Sequence, residues 1–586
     1  MNPQLLEYYN QELQYIREMG GEFAREYPKI ANRLALDSFE CSDPYVERLL
    51  EGFAFLTARI QLKLDAEFPR FTQNLMEMVY PNFLTPIPSM AVVQMQPDLN
   101  DAGLMEGTEI PRHTQLRSQI GRGEQTACEY RTAHAITLWP LQLTEAAYLA
   151  TAGAVANLGI STNRRIKAGL RLRLGASAGL QMHHLALDRL PLFLRGGEAC
   201  SQIYELLLAN VVDVVVRTGQ AASPLVIPLG AEALQRTGFA DDQALLPSTA
   251  RSFQGYRLLQ EYFTFPDRFR FVEFTGLQPA VRRCEQAEID LICLFDRSMP
   301  QLQDALDASH FNLHCTPCIN LFPKRADRVH LRPGAPDFHV VPDRTRALDF
   351  EVHSIQEVLG YGTRAEPEVE FLPFYEVRDR HRTARRKAFY TLRREPRRLS
   401  SKQARTGARS SYIGGEVFVS LVDAAAAPFS RQLKQLGLQL MCTNRDLPLQ
   451  MPVGVGRTDF TLQTGAPVEA IRCLAGPTRP RPSPTRRETA WELVSQLSLN
   501  YLSLIDTSAE EGAAALRQLL TLYADTGDSS ILHQIDGLLS ITSRPIHRRM
   551  PGPGPIHFAR GLELTLTVDE TAFEGSSAVL LGAVLE

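Results

Sequence analysis

The chain has 586 residues, 44% of them hydrophobic and 22% charged, with a formal net charge of -4. That length exceeds the roughly 250–300 residues at which one hydrophobic core stops growing, so several domains are expected, and a charge this close to neutral excludes global steering toward nucleic acid or an anionic membrane surface. No apolar run approaches the roughly 18 residues of a membrane span, Met1–Asn10 lacks a basic segment followed by an apolar core, and nine scattered cysteines fit buried free thiols better than a disulfide framework. A cytoplasmic protein without direct membrane insertion is therefore expected.

The chain opens with a helical pattern at Leu6, Tyr9, Leu13 and Ile16, which Gly20-Gly21 is expected to stop, and short helical pieces follow to Cys41. Ser42 and Asp43 supply capping oxygens, Pro44 suits a first helical position, and Val46, Leu49, Leu50, Phe53, Leu56, Ile60 and Leu64 recur at helical spacing. Pro69 should end that helix. A short run follows at Thr72–Met78, and Pro81, Pro86 and Pro88 turn the chain into strands.

From Ala91 the period shifts toward two, as in Leu170, Leu172 and Leu174 alternating with Arg171 and Arg173, and in Thr137–Leu141. Leu190–Leu194 reads as a strand, Ser201–Asn210 as a helix and Val211–Val216 as a buried strand, while residues 221–250 read as a loop or insertion. Phe269, Phe271 and Phe274 suggest aromatic packing under a sheet. Further strands are predicted at Ile289–Phe295, Phe311–Leu321, Asp337–Val341 and Asp349–Val352, and Gly360–Pro373 loses periodicity. Pro477, Pro480, Pro482 and Pro484 predict a stiff linker. A helical pair then places Trp491, Val494, Leu497, Tyr501 and Ile505 along one face and Leu516, Leu519, Leu520 and Tyr523 along another, before a strand-rich end. The expected fold is α+β and multidomain: a helical N-terminal unit (1–90), a β-rich wing domain (91–330), a second mixed α/β domain (331–476), the linker (477–485), and a C-terminal helical pair followed by strands (486–586).

Little of this looks catalytic. Cys315-Thr-Pro-Cys318 has the spacing of half a zinc site or of a redox pair, with His310 and His314 nearby, but a second pair of ligands is missing and two buried core cysteines are the better reading. Gly552, Gly554 and Gly561 superficially suggest a phosphate loop, yet Pro551, Pro553 and Pro555 remove the backbone donors it needs. Residues 378–405 hold twelve Lys or Arg against only Asp379 and Glu395. With Phe389 and Tyr390 interleaved, they form a candidate basic contact loop, represented by Arg385, Arg386, Lys387, Arg393 and Arg394, which a polyanion or single-stranded nucleic acid could use. A solvated loop or an acidic protein partner is the better prior. No nucleophile elbow, Walker loop, zinc-protease motif or dinucleotide fingerprint occurs, so neither cofactor nor metal is expected and the weight falls on a scaffold over an enzyme. Its candidate interface residues are Val46, Leu49, Phe53, Leu56, Ile60, Trp491, Val494, Leu497 and Tyr501.

Several segments in family order resemble the TssF family of type VI secretion baseplate subunits: Leu5–Leu13, Asp43–Tyr80, Pro81-Asn-Phe-Leu-Thr-Pro-Ile-Pro88, Tyr130-Arg-Thr-Ala133 with Leu138-Trp139-Pro140, Leu258-Leu-Gln-Glu-Tyr-Phe263, Cys315-Thr-Pro317 with Asn320-Leu-Phe322, and Arg560-Gly561 before Asp569-Glu570. The resemblance implies a non-enzymatic building block of a contractile injection machine, in a baseplate near the inner membrane. It implies a wedge of two such copies with TssG, contacts with TssK, TssE and the VgrG spike hub, and neither a small-molecule substrate nor nucleic acid. Family members usually continue past Val579–Leu585, so that run reads as an unfinished element.

Overall fold

A computed structural model describes residues 3–34, 43–161, 165–218, 225–248, 253–364, 366–374, 388–397, 409–423, 428–483, 509–524, 528–549 and 558–586. These residues fall into two compact units that divide between Val79 and Tyr80, directly before the first of the proline turns.

The first unit is built on two helices. α1 (Pro3–Glu26) runs straight through Gly20-Gly21, and α2 (Pro44–Val79) runs through Pro69 as a single 36-residue helix. Both expected stops are overridden. An interior glycine costs only about 1 kcal/mol and a proline about 3 kcal/mol, sums that a helix as long as this can absorb. The start of α2 is as predicted: Asp43 accepts the Tyr45 N–H at 2.9 Å. Ala54 and Ala58, both fully buried, form the small-residue face of α2, and an Arg17–Glu47 ion pair of 3.3 Å links it to α1.

The second unit is β-rich. A closed six-stranded barrel runs in the order Met90–Pro97, Cys315–Ile319, Glu129–Thr132, Gln115–Ser118, Phe460–Leu462 and Val468–Ala475. Ala91, Val93, Met95, Leu116, Tyr130, Cys318, Phe460 and Ile471 fill it, with the Tyr130 and Phe460 rings edge-on at 5.3 Å. The barrel draws on both domains that the sequence separated at 330, because Met90–Pro97 pairs with Val468–Ala475 across almost the whole chain. The intervening sheets are insertions into it.

One inserted sheet has five strands, ordered Leu225–Pro228, Val211–Thr218, Glu288–Phe295, Ala168–Ala176 and Leu141–Leu149. Leu170, Leu172 and Leu174 are buried as the alternation predicts, but Arg171 and Arg173 do not simply face water. They join a cross-strand ionic ladder in which Arg171 pairs with Glu145 and Asp290 bridges Arg173 (2.8 Å) and Arg217 (2.9 Å). Segment 221–250, expected to be irregular, supplies the edge strand Leu225–Pro228 and the strand Leu234–Thr237 of a separate four-stranded sheet with Phe271–Phe274, Leu190–Leu194 and Phe311–Asn312. Helix α3 (Glu198–Ala209) precedes the buried strand Val211–Thr218, as predicted.

The largest sheet has eight strands, centred on Gln435–Thr443, Glu351–Tyr361 and Val369–Pro373. Leu436, Leu438, Leu440 and Cys442 alternate into its core. Val369–Pro373 lies where the sequence lost its period. The proline-rich segment is not a free linker in its described part: Thr478 N donates to Met90 O (2.8 Å), Ser89 Oγ to Thr478 O (2.6 Å), and Ile87 and Arg481 form a two-way backbone bridge. Near the C-terminus, α5 (Ala509–Thr521) and α6 (Ser529–Asp536) lead into a two-stranded ribbon, Leu538–Arg549 with Phe558–Val568. α7 (Ala578–Leu585) buries Leu580, Leu581 and Val584 and contacts α3 and α4 (Gln254–Thr264).

Candidate interaction surfaces

α2 buries small residues, Ala54 and Ala58, and leaves large ones outside. Leu49 is 74% exposed, Phe53 62%, Leu56 56% and Ile60 60%, with Val46 half-buried. On α1, Tyr15, Met19 and Phe23 repeat the pattern at four-residue steps, all exposed. Isolated exposed leucines are ordinary, but a periodic run of large apolar residues is not. Trp491, Val494, Leu497 and Tyr501 lie outside the described residues, as do Arg385, Arg386 and Lys387.

The described part of the basic segment, 388–397, is built around a strand rather than a loop. Arg393 and Arg394 sit on the strand Ala388–Pro396, paired along its length with Gly415–Asp423. Arg393 pairs with Asp337 and Glu395 and stacks on the Phe418 ring at 4.6 Å. Arg394, on the opposite face, is buried and donates to the carbonyls of Val352 (3.2 Å) and His353 (2.5 Å). Strand alternation separates the two neighbours, so a charge count along the sequence overstates the cations available to a ligand.

The Cys315/Cys318 pair is divided in the same way. Cys315 joins the cluster with Phe193 and Phe271 outside the barrel, while Cys318 joins Ala91 and Ile471 inside it. Thiols three apart on a strand face opposite ways and cannot share a metal or a disulfide. Burial pushes both thiols well above their usual range. His314 is buried and pushed down to about 4, its Nε2 accepting the Trp139 N–H (3.2 Å), and His310 pairs with Asp307. Among the described residues no three His, Cys, Asp or Glu are grouped to hold a metal.

Sequence reasoning missed three polar joints. Asn320, between a barrel strand and the strand Phe322–Arg325, donates to Glu129 O (2.8 Å) and Asn444 Oδ1 (2.8 Å), and Asn444 N returns a bond to Asn320 Oδ1 (2.7 Å). This pins barrel to sheet. Glu261, fully buried on α4, accepts the N–H groups of Leu245 (3.1 Å) and Leu246 (2.9 Å) and pairs with Arg257 and Arg268. Arg409 reaches Glu124 (3.2 Å), Asp349 (2.8 Å) and Asp446 (2.5 Å) at once. The signal for the first two was available, because both asparagine and glutamate stand inside the segments quoted above, Asn320-Leu-Phe322 and Leu258–Phe263.

These polar groups are thus committed to internal joints. A family model for TssF of the type VI secretion system matches residues 1–586. The chain is 55% identical over 587 residues to the type VI secretion system component TssF1 of Pseudomonas aeruginosa, covering 100% of this chain and 94% of that relative. It is similar to a chain of the TssK-TssF-TssG baseplate subcomplex solved by cryo-electron microscopy, at 26% identity and a TM-score of 0.67, covering 92% of each chain. A chain of the type VI secretion baseplate complex shares its fold at 22% identity and a TM-score of 0.52, over 99% of this chain and 93% of that one. Matched in sequence and fold along its whole length, the chain belongs to the TssF family of the type VI secretion system, a family of structural baseplate components.

Proposed function

We propose that this chain is a non-enzymatic wedge scaffold whose helical unit docks TssG and a second copy of itself through the outward stripe of α2. The observation that carries the reading is the division of labour on that helix: Ala54 and Ala58 buried, Leu49, Phe53, Leu56 and Ile60 exposed. Trp491, Val494, Leu497 and Tyr501 are assigned to the same bundle, on the helical spacing of the sequence. The β-rich unit is assigned the contacts with TssK, because the similar chain named above was solved in a subcomplex with TssK and TssG. TssE and the VgrG hub are the further neighbours this reading implies, in a baseplate near the inner membrane. Among the described residues no helix is long and apolar enough to cross a membrane. The polyanion alternative loses ground, since Arg393 and Arg394 are spent within the sheet.

The size of the effect follows from area. A phenylalanine buries about 200 Å², so covering the 62% of Phe53 still exposed removes about 120 Å² from water, worth about 3 kcal/mol or roughly a hundredfold in Kd. Phe53→Asp with Ile60→Asp should abolish co-purification with TssG while leaving the circular dichroism and melting of the chain unchanged, because neither side chain serves its own core. Retained co-purification, or unfolding of the variant, would sink the proposal.

A further inference from the structure

Where the barrel meets the eight-stranded sheet, the β-rich unit holds a cavity of about 350 Å³. Small-molecule sites run from about 300 to 1,000 Å³, so the space is large enough for a ligand. Three cations line it, each from a different element: Arg117 on the barrel strand Gln115–Ser118, Lys324 on the strand Phe322–Arg325, and Arg346 ahead of the strand Glu351–Tyr361. Like charges drawn to one cavity repel unless they share something of opposite sign.

The carboxylates nearby do not supply it. Glu129, the one acidic residue among those that line the cavity, stands opposite Arg117 in register but pairs with Arg131 instead. Arg117 has no ion pair among the described residues. Lys324 reaches Asp343 at 3.5 Å, a long contact, and its ammonium lies over the Phe350 ring at 4.0 Å. Arg346 donates through Nη1 to Thr126 Oγ1 (3.1 Å) and Gln125 O (3.4 Å), which steadies the guanidinium without neutralising it.

A buried donor in the wall is also unused. Asn444 is 1% exposed, and its Oδ1 accepts the Glu129 N–H and an Asn320 Nδ2–H at 2.8 Å each. Those two bonds fix which end of the amide is oxygen. Its Nδ2 is left without an acceptor among the described residues, and a buried amide N–H is rarely left so in a folded protein.

We propose that this cavity binds a small polyvalent oxyanion, a phosphate or carboxylate compound, held by Arg117, Lys324, Arg346 and the Asn444 amide. Every one of these groups donates, as an acceptor-only ligand requires, and an arginine fork matches a carboxylate or phosphate edge. A flat protein surface laid over the opening would not reach a residue as buried as Asn444, so the occupant is a group that enters. Because its donors come from the barrel, the sheet and the loop between them, the bound anion braces the joint that Asn320 and Asn444 already make. The site shares no residue with the α2 stripe and stands independently of the wedge reading.

Calorimetric titration of the full chain at fixed ionic strength with inorganic phosphate, pyrophosphate and citrate tests this. Pyrophosphate or citrate should bind and raise the melting temperature, and the tighter of the two tells a phosphate site from a carboxylate site. Arg117→Gln should weaken that binding about tenfold, the worth of one hydrogen bond to a charged group. Arg117 is exposed, so this change spares the fold; Arg346→Gln is the second removal, and Arg332→Gln, an exposed arginine outside the cavity, controls for net charge. No binding of pyrophosphate or citrate, binding indifferent to Arg117→Gln and Arg346→Gln, or equal weakening by Arg332→Gln overturns the inference. So does a polyglutamate peptide that binds where both small anions fail, since it would make the cavity the edge of a protein contact.

Discussion

Arg409 offers the sharpest test of how the β-rich unit is held together. Its guanidinium donates to Glu124 on a barrel loop, to Asp349 ahead of the strand Glu351–Tyr361, and to Asp446 after the strand Gln435–Thr443, with a further bond to Leu348 O (2.9 Å). Thr126 and Ser410 hydroxyls complete Asp349 and Asp446 at 2.6 Å each. Arg409→Ala leaves three carboxylates facing one another without the cation they share among the described residues. Breaking a buried pair costs about 3–5 kcal/mol. Arg409 is 23% exposed, which places the expected loss at the low end, about 3 kcal/mol at pH 7.5. Burial alone would raise the Asp446 carboxyl, but the hydrogen bonds from Arg409 and Ser410 and the Arg409 charge outweigh it and hold the group below its ordinary value. Once Arg409 is removed, burial and the neighbouring carboxylates push Asp446 up instead. The deficit of the variant is then full at neutral pH and shrinks as the pH falls through that raised pKa and Asp446 takes up a proton. Urea unfolding of both proteins at pH 7.5 and pH 5 measures this, with hydrogen exchange of Gly415–Asp423 reporting the local opening. Arg409→Lys should recover only part of the loss, because an ammonium cannot bridge three carboxylates in a fixed plane. A loss under about 0.5 kcal/mol at neutral pH, or a deficit that grows at pH 5, would refute the assignment.

His134, His314 and His353 are buried and pushed down to about 3, 4 and 3, so they stay neutral in the fold while their unfolded counterparts protonate below about pH 6.5. Stability should therefore be complete above pH 6.5 and fall by about 4 kcal/mol per pH unit between pH 6 and pH 4, from three protons at about 1.4 kcal/mol each; a flat denaturation midpoint over that window would contradict it. Ser89→Ala should cost about 1–3 kcal/mol, because it strands both Thr478 O and the Tyr130 hydroxyl, which donates to Ser89 Oγ at 2.9 Å; a melting profile matching the parent would free the proline-rich segment around Thr478 from any stabilising role. Cys315 and Cys318 should resist maleimide in the native protein at pH 8 and react only after denaturation, and rapid native labelling of either would show that the barrel wall opens.

Local patterns were legible where one face of an element was uniformly buried. Ala168–Ala176, Leu190–Leu194, Val211–Thr218 and Glu288–Phe295 all lie where alternation or an apolar run put them, and the Asp43/Pro44 cap located the start of α2. The helix stops failed because glycine and proline penalties are local and small beside the many backbone hydrogen bonds of a 36-residue helix. Leu436, Leu438, Leu440 and Cys442 alternate along the strand Gln435–Thr443, a signature outside the predicted elements. The partnership of Met90–Pro97 with Val468–Ala475 has no local signature at all, since register between distant strands is settled by the closing of the barrel. The same holds for the basic segment. Its charge was plain, but only the strand pairing of Ala388–Pro396 with Gly415–Asp423 decided that Arg394 would turn inward to Val352 and His353.

The distribution of committed and uncommitted groups bears on why a chain without a recognisable site folds this elaborately. Asn320 with Asn444, Glu261 with Arg257 and Arg268, and Arg409 with its three carboxylates all fasten one element of the β-rich unit to another. Each is costly to break. Polar joints of this kind lock a single geometry, because a half-made network in a low-dielectric interior is worse than none. The apolar stripe on α2 is the opposite case, since Leu49, Phe53, Leu56 and Ile60 are mostly exposed and add little to the isolated fold. Rigidity inside and adhesion outside is the combination that lets a subunit fix distances between neighbours. It also exposes the chain to a specific hazard, since Leu49, Phe53 and Phe558 in a solitary copy face water, and the subunit without its partners should associate non-specifically long before it unfolds.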